Sequence, residues 1–195
     1  MPLTTSTNLV PIGRLKASGV AHPGIPGCDF QANSTQAVIA NQVRYNGFII
    51  QTPITIDQLV AEVVTTGTAT LLRMAIYAAD TDWQPVGAPI VDGGTVSAAS
   101  QAVVTIAVNV VLQPGRYLTA LNADGTATLR SWRGDGTRGG WGIAPALGAG
   151  SQNTIVTATQ TFGSFPTPGT AFISGGVVAG NTAPTHVMLV RQSAP

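Results

Sequence analysis

The sequence predicts an all-β protein, an antiparallel β-sandwich, and three observations carry that expectation. Residues 54–132 read as consecutive stretches of alternating polarity broken by turns, which is the pattern of half-buried antiparallel strands. Only 9% of residues are charged against 44% hydrophobic, and Glu62 and Lys16 are the sole glutamate and lysine. Exposed helices need such residues on their solvent face, so the chain has little with which to solvate one. Thr, Val, Ala, Gly and Pro fill the sequence instead, as short strands and tight turns require.

A length of 195 residues fits one domain with an added segment. Residues 1–35 are expected to form that segment, an extended N-terminal anchoring arm, and residues 36–195 the sandwich. Pro2, Pro11, Pro23 and Pro26, with Gly13, Gly19, Gly24 and Gly27, leave no space for a regular element. Leu9, Val10, Ile12, Leu15, Val20, Ile25 and Phe30 nonetheless make the segment too apolar for a disordered tail. An arm that docks accounts for both, either onto its own sandwich or onto a neighbouring subunit.

The strands follow in order. Over 42–50, Val43, Tyr45 and Ile49 alternate against Gln42, Arg44 and Asn46. Over 57–65, Leu59, Ala61 and Val63 share a face. Over 68–77, Leu72, Met74 and Ile76 share one face, and Leu71, Arg73 and Tyr77 the other. Val104, Ile106, Val108, Val110 and Leu112 make the longest clean alternation, and strands over 116–121 and 126–132 come next. Between these two, Asp124-Gly125 signals a hairpin turn with positive φ at both positions. Further turns are expected at Thr66-Gly67, Gly93-Gly94 and Pro114-Gly115. Residues 133–142 form a glycine-rich loop, a weak strand is expected over 154–161, a turn over 165–169, and a closing strand over 187–191.

Charge limits the partners. A formal net charge of +1 gives little colloidal protection, so a surface of Thr, Ala, Gly and Val suits burial in an assembly. The nine basic residues are scattered among eight acidic ones, which argues against nucleic acid. Arg130, Arg133 and Arg138 form the one local excess, with Asp135 among them. A lone cysteine, Cys28, excludes an internal disulfide framework. The opening residues lack the apolar core of a secretory signal, and no run approaches the roughly twenty apolar residues that span a bilayer. Synthesis in a reducing cytoplasm without membrane insertion is the expectation.

Residues 71–80 (LLRMAIYAAD), 85–98 (PVGAPIVDGGTVSA) and 104–125 (VTIAVNVVLQPGRYLTALNADG) together resemble a small jelly-roll module of bacteriophage tail and virion proteins, itself similar to a carbohydrate-binding module. The likeness rests on Tyr77 with Asp80, on Gly94 and Thr95, and on Leu112, Pro114, Gly115 and Tyr117. The end of the chain, from Thr161 to HVMLVRQ, also resembles the close of such proteins. It spans roughly 54–132 plus the last few dozen residues, and in the loop after Tyr77 the sequence TDWQP departs from the pattern. The resemblance implies a jelly-roll-like sandwich at a virion surface, made in the host cytoplasm.

Candidate chemistry is sparse. His22 and His186 sit in no hydrolase motif, and one glutamate leaves only separated aspartates for a glycosidase pair, so no catalytic residues or cofactors are expected. Trp83, Tyr117, Trp132 and Trp141 are the candidate contacts, stacking on a host glycan or burying at a subunit interface. Asp80, Asp82 and Asp92 are weak calcium candidates, set against capping of turn amides. Arg133-Gly134-Asp135 spells an adhesion tripeptide of low specificity.

The expected function is therefore a non-enzymatic virion protein, homo-oligomeric with a trimer favoured, contacting other virion proteins. It is either a tail-fibre or tail-tip component binding host polysaccharide or a capsid decoration or head-fibre protein clamping shell subunits. A free carbohydrate-binding module is the third reading.

Overall fold

The computed structural model describes residues 21–22, 30–50, 52–69, 71–134, 156–170 and 189–192, and every regular element among them is a β-strand. In chain order these are β1 (Ala21–His22), β2 (Phe30–Val38), β3 (Gln42–Ile50), β4 (Ile54–Thr65), β5 (Leu71–Ala79) and β6 (Pro85–Ser97). They continue as β7 (Ala102–Leu112), β8 (Gly115–Ala123), β9 (Ala127–Gly134), β10 (Val156–Thr159) and β11 (Leu189–Gln192). Two antiparallel sheets pack face to face. The first runs β1-β11-β4-β9-β2, with β7 on the other edge of β4; the second runs β10-β3-β8-β5-β6. The expected β-sandwich is present.

Successive strands switch sheets from β2 to β5 and again from β6 to β9, so short connections must cross the roughly 10 Å between layers. This corrects the hairpin expected at Asp124-Gly125. β8 pairs with β3 and β5, β9 with β2 and β4, and neither turn residue has positive φ. Gly125 is required for closeness instead: a Cβ there would lie 2.6 Å from the Ala69 amide nitrogen. Asp124 stitches the crossing by accepting the Leu71 amide at 3.0 Å. Gly93-Gly94 is likewise not a turn but a bulge inside β6, where the register with β5 shifts and Gly94 takes φ 78°.

The core lies between the sheets. Leu59, Ala61 and Val63 of β4, Leu72, Met74 and Ile76 of β5, and Val104, Ile106 and Leu112 of β7 all point into it, as their spacing predicts. Each large aliphatic side chain buried there contributes about 1.5–3 kcal/mol. Strand β3 departs from its sequence pattern. Phe48 and Ile50 face the core, while Val43 and Tyr45 point the other way, into a second cluster with Ala75, Tyr77, Leu118 and Ala120. Residues 160–170 lie over that outer face, with Phe165 packed edge-on against Tyr77 at 6.1 Å. With both faces covered, alternating polarity no longer reports which side is the interior.

Alternation from Phe48 therefore turns Arg44 and Asn46 inward, and both are only 2% exposed. Arg44 Nη2 donates to the Ala37 carbonyl of β2 and so bridges the two sheets. Its Nε and Nη1 have no hydrogen-bond partner among the described residues, and burial lowers the guanidinium pKa to about 10.

The segment expected as an arm also contributes strands. His22 of β1 pairs with Val190, and β2 begins at Phe30, ahead of the boundary expected at 35. Their partners, β11 and β9, lie far along the chain, which proline and glycine spacing does not reveal.

Candidate functional site

The loop between β5 and β6 carries Trp83. Asp80 organises the turn: its Oδ1 accepts the amides of Asp82 and Gln84, each at 2.8 Å, and its carbonyl accepts the Trp83 amide at 3.3 Å. Trp83 adopts φ 62°, a left-handed conformation uncommon for a bulky residue. Its indole lies on the second sheet over Gly47, where a Cβ would come within 2.8 Å of the ring. The Arg116 guanidinium stands over the ring at 5.5 Å and donates to the Thr81 carbonyl at 3.0 Å. Trp83 is half-buried packing, held from the sheet and by a cation, and not an open stacking platform.

Tyr117 is a core residue, which corrects its place among the ligand candidates. It is 8% exposed, packs on Phe48 at 5.5 Å, and donates its hydroxyl to the Gln113 carbonyl at 2.6 Å. That bond braces the turn between β7 and β8, and burial raises the phenol's pKa. Trp132 lies on β9 opposite Ala32, with its side chain outside the described residues. Trp141, His186, Arg138 and Asp135 also lie outside them, as do Leu9, Val10, Ile12, Leu15, Val20 and Ile25 of the arm. Phe30 opens β2, paired with Gly134, again without a described side chain.

The aspartates divide among separate tasks. Asp80 caps its turn, while Asp92 pairs with Arg73 at 2.8 Å and accepts the Gly94 amide at 3.1 Å. Among the described residues no group of three or more His, Cys, Asp or Glu gathers to hold a metal. Arg130 is also committed, to Glu62 at 3.1 Å, while the side chain of Arg133 lies outside the described residues. This pair borders a shallow depression of about 280 Å³ lined also by Val64, Gln101, Ala102 and Val103.

The feature that residue-by-residue reading misses lies at the edge formed by β6 and β7. Val103 is 64% exposed, Val111 55%, Val86 47% and Ile90 41%. No charged residue occurs between Asp92 and Arg116, so β7 and its flanking turns are wholly uncharged. That run is legible in the sequence once β7 is known to be an edge. Compared with known protein families and with curated proteins, the chain matches no family model and no curated protein. Among the described residues no helix is long and apolar enough to cross a membrane.

Proposed function

We propose that this chain is a non-enzymatic structural protein of a bacteriophage virion, a jelly-roll-like sandwich that works by packing against neighbouring subunits. The observation that carries the assembly reading is the edge formed by β6 and the uncharged β7, with its four exposed aliphatic side chains. Exposed apolar side chains along a charge-free strand are stabilised by a covering partner. The virion part of the proposal rests on the resemblance of residues 71–125 to phage jelly-roll modules.

Of the two placements, a clamping role in the particle shell is favoured over host-glycan adhesion. Trp83 and Tyr117 are engaged in packing contacts, which counts against two of the four aromatic candidates as sugar-stacking platforms. Adhesion would fall to Trp132 and Trp141. Sedimentation of the full chain combined with a glycan array tests the choice. The proposal expects a homo-oligomer at micromolar concentration and no glycan bound. A monomer at all concentrations would overturn it, and glycan binding lost in Trp141→Ala would return the adhesin.

A further inference from the structure

We propose that β7 pairs edge to edge with β7 of a second copy, antiparallel, about a twofold axis at Ala107. The inference names the partner for the face on which the proposed function rests. Strand β7 spans eleven residues and pairs with β4 along one edge; among the described residues its other edge has no strand partner. A free edge is a row of unpaired N–H and C=O groups, and natural sheets guard it with lysine, proline, inward charges or bulges. The β6 edge beside it is guarded: two register shifts interrupt its pairing with β5, and Gly87 and Gly94 take positive φ. β7 has no charge and no proline; its one irregularity is a bulge where Val108 and Asn109 face the single Asp57 of β4, and its exposure alternates from Val103 to Leu112.

The occupant follows from the sequence of the strand. Residues 103–111 read VVTIAVNVV, which is nearly its own reverse. Antiparallel pairing about Ala107 sets Val103 against Val111, Val104 against Val110, Thr105 against Asn109 and Ile106 against Val108. On the outer face this opposes exposed valine to exposed valine and a hydroxyl to an amide; on the inner face it continues the aliphatic core. A twofold contact is self-complementary by definition, so each strand must suit its own reverse. A different partner, or a head-to-tail trimer contact, places no such demand on β7.

The test is disulfide trapping in the full chain, in a Cys28→Ala background that removes the one native thiol. Directly opposed residues lie about 4.5–5.5 Å apart at Cα, within reach of a disulfide. Ala107→Cys should therefore give mostly covalent dimer under mild oxidation. Thr105→Cys alone should not, because its copies stand about 13 Å apart, whereas mixed Thr105→Cys and Asn109→Cys proteins should cross-link. Lysine at the exposed positions, V103K/V111K, should weaken association at least tenfold while leaving the unfolding transition intact. An oligomer that cross-links at none of these positions would overturn edge pairing and leave assembly standing. A monomeric wild-type chain would overturn both, including one whose β7 edge is filled by its own residues 1–20.

Discussion

Trp83 shows how one residue can look like a ligand contact and serve as a structural plug. Its loop position, between two apolar strands, is plain in the sequence. What the sequence does not disclose is that Gly47, thirty-odd positions earlier, leaves the hollow that receives the indole. That pairing depends on which face of β3 is outward, and β3 is the strand whose polarity pattern points the wrong way. Gly47→Ala should push the ring off the sheet and cost about 1–3 kcal/mol, the usual penalty for overfilling a packed site. Urea unfolding read by tryptophan fluorescence checks this, and unchanged stability with an unchanged spectrum would contradict the seat described. Tyr117 was similarly half-legible. A tyrosine after a tight turn is visible in Pro114-Gly115-Arg116-Tyr117, but its inward rotamer is set by the bond to Gln113.

The second sheet is built with side chains on both faces, and its tyrosines give it a pH signature. Burial, and then the neighbouring phenol of Tyr77, raise the Tyr45 pKa; burial, and then Asp92, push Tyr77 up to about 12. Unfolded tyrosines lose their protons near pH 10, while these folded ones keep them. Between pH 10 and 12 the unfolded chain therefore binds fewer protons, and stability falls as pH rises. Arg44 opposes this, because its lowered folded pKa lets the native state shed a proton that the unfolded chain retains. Tyr45, Tyr77 and Tyr117 outnumber it, so the net slope is downward. Denaturant midpoints measured from pH 8 to 12 should drop above pH 10, and Tyr77→Phe should flatten the drop. An unaltered slope in that variant would count against the burial described. At this scale the sequence announces β4 and β7 by alternation, because each has one face on the core. It misplaces β3 and the Asp124-Gly125 crossing, because the covering segment and the sheet assignment are set by residues far along the chain.

At the scale of the whole molecule, composition was the most faithful guide. Scarcity of Lys and Glu predicted a helix-free sandwich, and the described residues form one. The same scarcity predicted surfaces in need of cover, and the exposed valines of β7 give that expectation a location. Symmetry was less accessible, since the self-reversing order of residues 103–111 matters only once β7 is known to be an edge. The arm remains a matter of sequence for most of its length, although β1 and β2 tie parts of residues 1–35 into the first sheet. The account's central claim is that another copy of this chain covers the uncharged edge. Hydrogen–deuterium exchange of the wild-type full chain, followed over a hundredfold range of protein concentration, addresses that claim most directly. Amides of residues 102–112 should exchange more slowly as concentration rises, while those of the guarded β6 edge stay unchanged. Concentration-independent exchange throughout residues 102–112 would contradict the account.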